Sequence, residues 1–303
     1  MRPEIEQVVG LIRQGDPQSL EEALALLQNT VFSFGMKVCG QRQDAEDTMQ
    51  EVLLRSVPNL PKFDSPKALM VWLYKVAKTC CLMSRRKGKF APKEALSLEE
   101  LMPDRKEMEK LSGNTELTPE TSLMRRENSK RLRDAVQRLP PEYRLILVLH
   151  DMEELSDEDI AEITGLRQGT IRVRLHRARL FVRKELAKAE RDGYRSKPEK
   201  QAAVAGMHPR ERNCKQMFAE LSDYLDEELD DSLCAELEKH MDGCEPCKAF
   251  LASLEETIRT CRTAPNDRPD ELVAANLRRE VLSKYQDLMA NIRRPAAKNI
   301  KPS

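Results

Sequence analysis

Two short amphipathic runs meet at Gly165, and this pair constrains the fold more than any other stretch. "LSDEDIAEITGL" leads into the glycine and "RQGTIRVRLHRARLFVRKEL" leads out of it. In the second run Ile171, Leu175, Ala178 and Val182 recur at i, i+4, i+7 and i+11, a narrow apolar seam of helical period. Ser156 opens the first run with a capping-box-like S-D-E-D, and Gly165 stands where a helix must turn sharply. Two short helices joined by such a turn predict a helix-turn-helix. Gln168, Arg172, His176, Arg179 and Arg183 share a second face of the second helix, with Thr170 near its start and Arg174 and Arg177 flanking. A face like this can enter a major groove, where Arg pairs with guanine edges or neutralises phosphate. The alternative is a solvated basic face. The glycine turn and the acidic preceding helix (Asp157, Glu158, Asp159, Glu162) favour DNA.

The same period recurs through most of the 303 residues, broken by short polar stretches. Residues 4–34 are amphipathic around "QGDPQS", where Ser19 is a candidate cap for the second helix. "DAEDTMQEVLLRSVPNL" can place Val52, Leu53 and Val57 in a core while Asp44, Asp47, Gln50 and Glu51 face outward; Pro58 and Pro61 end it. "SPKALMVWLYKVAKTCCLMSRRKGK" opens with Ser65 as cap and Pro66 in the first turn, and closes on Arg85, Arg86, Lys87 and Lys89. Charged residues make up 34% of the chain and aromatics 4%, with 11 glycines, which favours helices over sheets. The expected fold is all-α. Two helical domains, 1–90 and 126–187, are joined by a linker at 91–125 that holds a transient helix around "SLEELM". A second linker at 188–209 leads to a small unit at 210–262 and a tail helix within 263–303.

Lys and Arg number 51 and Asp and Glu 51, so net charge selects no partner. The start "MRPEIEQVVG" does not read as a signal peptide, and "LILVL" is too short to span a bilayer, so a cytoplasmic protein without membrane contact is expected. There, eight cysteines point to metal binding, redox sensing or burial rather than disulfides. Cys214, His240, Cys244 and Cys247 form C-x25-H-x3-C-x2-C. Four such ligands fit tetrahedral zinc in a closed, structural site, with a regulatory role as a further option. A unit of about 50 residues has little core of its own, and a metal cross-link helps it fold. The alternative is a helix-capping His240 beside buried thiols. No Gly-rich phosphate loop or paired nucleophile and base is visible, so an enzyme is not expected.

"LRDAVQRLPPEYRLILVLHDMEELSDEDIAEITGLRQGTIRVRLHRARLFVRKEL" resembles domain four of an extracytoplasmic-function (ECF) sigma factor of the sigma-70 family. "DAEDTMQEVLL" and "ALMVWLYKVAK" resemble domain two of the same family. The resemblance implies promoter-specific transcription initiation. Domain two would bind the clamp helices of RNA polymerase core and the −10 element, and domain four the −35 element. Carried over by position, the polymerase surface is Asp44, Asp47, Gln50 and Glu51. The −10 candidates are Lys62, Phe63, Trp72, Lys75, Lys78, Arg85 and Arg86; Trp72 and Tyr74 are equally readable as core aromatics. Thr79, Met83 and Val173 depart from the family's common Asn, Asp and Ser. "CKQMFAELSDYLDEELDDSLCAELEKHMDGCEPCKAFLASL" is similar to zinc-binding anti-sigma domains, in which a following helix packs on sigma domains two and four; 270–290 could take that place. An intramolecular contact between the C-terminal unit and the sigma domains is therefore expected, with autoinhibition as its effect. The alternatives are a C-terminal unit that activates, and a helix-turn-helix regulator that does not bind polymerase core.

Overall fold

Asp16, Pro17 and Gly40 set the bounds of α2 (Pro17–Cys39), the 23-residue helix on which one part of the molecule is built. The Asp16 carboxylate accepts from the backbone N–H of Gln18 and Ser19, both at 3.0 Å, and Gly40 closes the helix in the left-handed region at φ 80°. The cap is thus Asp16 and not Ser19, whose hydroxyl instead donates to Gln14 at 2.7 Å from inside the first turn. Pro17 needs no N–H at the first helical position, which moves the start of the helix upstream of Ser19.

The computed structural model describes residues 3–86, 96–103, 122–193, 221–242 and 244–293, and every regular element among them is helical. The chain divides into two units, one formed by 1–89 with 266–303 and one by 90–265.

In the first unit α1 (Pro3–Gln14), α2, α3 (Arg42–Ser56) and α4 (Pro66–Arg86) pack on one another. A 3-10 turn at Leu60–Lys62 follows α3, where Pro58 and Pro61 stop the helix. Ser65 accepts from the Ala68 N–H at 3.2 Å and so caps α4. Val52, Leu53 and Val57 are buried as expected. Tyr74 lies in the core, its ring edge-on to Phe34 at 5.0 Å between centroids. The tail helix α12 (Glu271–Arg293) belongs to this unit and packs on α2 and α3 through Ala274, Leu277 and Val281.

The second unit holds a single turn, α5 (Leu98–Leu101), then α6 (Ser122–Arg138), α7 (Pro141–Leu147) and a π-helical turn at Val148–Met152. The helix pair follows as α8 (Asp157–Thr164) and α9 (Gln168–Gly193). Ser156 accepts from the Asp159 N–H at 3.2 Å, and Gly165 takes φ 76°. Then come a helical turn at 221–225, α10 (Asp231–Asp242) and α11 (Glu245–Arg262). Residues 96–103 thus carry a docked turn inside the expected linker.

α2 and α3 cross closely because Gly35 has no side chain. A Cβ there would stand 3.0 Å from both Cα and Cβ of Ala45, tighter than ordinary contact. Gly35→Ala would gain about 1 kcal/mol of helix propensity and cost about 1–3 kcal/mol of overpacking. We expect a net loss of about 1 kcal/mol, read as a lower urea midpoint in the fluorescence of Trp72, the only tryptophan, which lies in this unit. An unchanged or higher midpoint would mean that the two helices separate freely.

Candidate functional site

His240 near the end of α10, Cys244 and Cys247 at the start of α11 bring their ligand atoms within 4.8 Å of one another. Cys244 Sγ lies 3.2 Å from Cys247 Sγ, which lies 3.4 Å from His240 Nε2. A zinc tetrahedron has S···S edges of about 3.8 Å and S···N edges of about 3.5 Å. Both edges that meet at Cys247 are therefore no longer than a zinc ion would hold, all three donors lie within 4.8 Å, and their soft chemistry suits that ion. Pro246 in the first turn of α11 and the Cys247 N–H bonded to the Cys244 carbonyl at 3.0 Å fix the two thiols side by side. Cys214, the expected fourth ligand, lies outside the described residues. Cys247 is buried and belongs to the same apolar cluster as Phe250 of α11 and Leu180 of α9.

α9 carries the basic residues expected to meet DNA. Arg179 is fully buried. Its Nε and Nη2 donate to the two oxygens of Asp151 at 2.9 and 2.6 Å, and Nη1 and Nη2 donate to Asp226 at 2.6 and 2.9 Å. Burial alone would raise the Asp151 carboxyl, but the charge and hydrogen bonds of Arg179, with help from His150, hold it well below the usual carboxylate range. Burial pulls Arg179 down in turn, and the Asp151 and Asp226 carboxylates more than reverse it. Arg172 donates to Asp157 at 3.0 Å within the helix pair and to Glu228 at 2.6 Å. His176 Nδ1 meets the Ser222 hydroxyl at 2.8 Å. The Arg183 guanidinium sits 4.2 Å from the centroid of the Phe250 ring. Arg177 donates to the Leu96 carbonyl at 3.1 Å. Gln168 and Thr170 are exposed, and Arg174 pairs with Glu142 at 3.2 Å.

The turn that supplies Asp226 and Glu228 has a local cause. The Glu228 N–H returns to the Asp223 carbonyl at 2.8 Å, and Glu227 takes φ 58°, a left-handed conformation uncommon for a residue with a side chain. This ends the helical turn at 221–225 and lets the acids on either side of Glu227 meet α9.

In the first unit Asp47 and Gln50 are exposed on α3, Asp44 is half-buried, and Glu51 pairs with Arg55 at 2.6 Å. Asp47 and Gln50, with Glu46 and Met49, form one wall of a cleft whose other wall is Val273, Asn276, Leu277 and Glu280 of α12. Ahead of and along α12, Asn266 accepts from Ser33 and Lys37, both at 3.0 Å. The buried Gln28 amide donates to the Ala274 carbonyl at 2.8 Å and accepts from Arg278 at 2.9 Å. Among the −10 candidates, Phe63 and Trp72 are half-buried and pack together at 5.5 Å between centroids. Lys62 is exposed. Partial burial, and then the charge of Lys75, lower the pKa of Lys78. The side chains of Arg85 and Arg86 lie outside the described residues. The sequence pattern missed Asp151, Asp226, Ser222 and Phe250, because nothing local marks the partner of a helix face.

Residues 24–90 match the family model for Sigma-70 region 2, residues 129–182 that for Sigma-70, region 4, and residues 214–248 that for a putative zinc-finger. The chain is 27% identical to the ECF RNA polymerase sigma factor SigW of Bacillus subtilis, over 60% of this chain and 96% of the relative. It is also 27% identical to the RNA polymerase sigma-H factor of Pseudomonas aeruginosa, over 60% and 93%. The ECF RNA polymerase sigma-E factor of Haemophilus influenzae is 27% identical over 60% and 94%. No helix among the described residues is long and apolar enough to cross a membrane.

His176 provides a pH test of the α9 face. Burial first, and then the charges of Arg179 and Arg177, push its pKa from 6.5 down to about 4. Its Nε2 is buried without a hydrogen-bond partner, so a proton there would have no acceptor. The value is lowered, so the stability the neutral ring contributes is complete above about pH 6.5 and is lost as pH falls toward 4. From pH 7.5 to 5.5 the exposed state should gain about tenfold from this group alone. Amide exchange across 168–186 should accelerate accordingly in the wild type, and less in His176→Gln. Equal pH slopes in the two proteins would remove His176 from this role.

Proposed function

We propose that this chain, which belongs to the sigma-70 family of ECF type, is a sigma factor held in reserve by its own C-terminal segment. As a sigma factor it is a transcription factor rather than an enzyme. Region 2 would meet the polymerase clamp helices through α3 and the −10 element through the Phe63–Trp72 side of α4. Region 4 would meet the −35 element through α9.

The observation that carries the reading is the engagement of α9 by residues 222–253. Arg172, His176, Arg179 and Arg183 each bond to, or stack on, a side chain from that stretch. A guanidinium bonded to a carboxylate is not available to a phosphate at the same time. The placement of α12 beside Asp47 and Gln50 supports the same reading for the polymerase-facing side of region 2. A zinc ion bound by His240, Cys244, Cys247 and Cys214 would cross-link the small unit; the chain's own part is to hold the three described donors at the α10–α11 junction.

Three arms test this with polymerase core and sheared genomic DNA, counting initiations by 5′-end mapping. Truncation near residue 200 should raise initiation at least tenfold over the full chain. Asp226→Asn with Glu228→Gln removes the charge from the buried pair with Arg179, a contact worth about 1.5–3 kcal/mol, and from the half-exposed pair with Arg172, worth about 0–1 kcal/mol, and should raise initiation while zinc content stays constant. Zinc chelation should act in the direction of the truncation. Equal initiation by the full and truncated chains, with and without chelator, would end the autoinhibition reading.

A further inference from the structure

The stretch 96–102 lies in the connection between the two sigma regions, yet it is docked. A one-turn helix has no stability of its own in water, so α5 is held by its surroundings. Leu101 is buried in the apolar cluster that contains Leu180 of α9 and Leu237, Phe250 and Leu254 of the zinc-finger-like unit. Leu96, Leu98 and Met102 pack against that cluster. Two carbonyls of the stretch are answered from α9, Leu96 ahead of the turn by Arg177 and Glu100 within it by Lys184. Lys184 stands at the carbonyl end of the turn, where a cation is favoured. One side of the seat is thus α9, and most of its apolar lining comes from the C-terminal unit.

We infer that residues 96–102 are a third inhibitory element, seated only while the C-terminal unit is on α9. The inference rests on the autoinhibition proposed above. Seating engages Arg177 and Lys184 of α9 with backbone carbonyls of 96–102, and Arg177 flanks the face expected to meet DNA. Most of the cluster that buries Leu101 belongs to the C-terminal unit. Release of that unit would therefore unseat 96–102 and free Arg177 together with Arg172, Arg179 and Arg183, because the same apolar cluster holds both.

The test uses the full chain with Leu98→Asp and Leu101→Asp together, and separately Lys184→Ala, which takes the cation from the Glu100 carbonyl and leaves the apolar cluster intact. Amide exchange at 96–103 and 222–258 should accelerate about tenfold or more in the double variant, and severalfold in Lys184→Ala. Initiation should rise toward that of the truncated chain. If the double variant loses its zinc or its helicity, Lys184→Ala decides. The inference is overturned if truncation raises initiation while the variants exchange and transcribe as the wild type does. If truncation raises nothing, the autoinhibition reading fails. Exchange at 222–258 that ignores the loss of Leu98 and Leu101 then rejects the shared seat as well.

Discussion

A fully buried arginine, Arg179, is the constraint around which region 4 is arranged. Removing a guanidinium from water costs several kcal/mol unless its charge and N–H groups are met. Asp151 meets one edge with two hydrogen bonds, and Asp226, from 47 residues further along, meets the other. Taking away one partner of such a cluster costs about 3–5 kcal/mol, because a buried charge is left behind. With Asp226 gone, Arg179 would turn that edge to water or to another anion. A carboxylate and a phosphate present the same chemistry to it, which is why an acidic turn can stand where DNA would bind in the proposed closed state.

The C-terminal segment meets the two regions with different chemistry. On α9 the contacts are ionic or aromatic: Arg172 with Glu228, Arg179 with Asp226, Arg183 over Phe250. On α2 they are hydrogen bonds that pair no opposite charges, with the Gln28 amide set between the Ala274 carbonyl and Arg278 and Asn266 accepting from Lys37. Salt screens the first kind, least where the pair is buried, and hardly affects the second. Cys247 joins the chemistry to the packing, since it belongs both to the donor trio and to the apolar cluster that includes Leu180 of α9. The metal-binding geometry and the seat on region 4 are parts of one core.

What was legible in the sequence was local. Ser156, Gly165 and the seam at Ile171, Leu175, Ala178 and Val182 specify the helix pair, because caps and periodicity act within a few residues. The spacing of His240, Cys244 and Cys247 placed three donors at one point for the same reason. Asp16 was passed over as a cap because Ser19 stands deeper in the same polar stretch, and only the observed bonds to Gln18 and Ser19 separate them. The partners of α9 were not legible at all. A row of arginines looks the same whether it faces water, DNA or an acidic turn, and Asp226 carries no mark linking it to Arg179. The stretch 96–102 read as linker because its four apolar residues are too few to show a period, although burial of Leu101 depends on Leu180 of α9 and on residues from Leu221 to Ile258, all far away in sequence.

Fusion changes how strong these contacts need to be. A flexible tether presents its unit at an effective concentration of about 1 mM. A contact with an intrinsic dissociation constant of about 0.1 mM would then be closed about nine times in ten, whereas the same surfaces on separate chains at micromolar levels would be almost entirely apart. Half-exposed pairs such as Arg172 with Glu228 are of the weak kind, about 0–1 kcal/mol each. In the proposed closed state they would suffice in cis, and their weakness would have a use. A tenfold loss of affinity, about 1.4 kcal/mol, moves a switch of that kind from nine-tenths closed to half open, so under the proposed autoinhibition a signal that disturbs one contact would release the sigma regions without unfolding anything else.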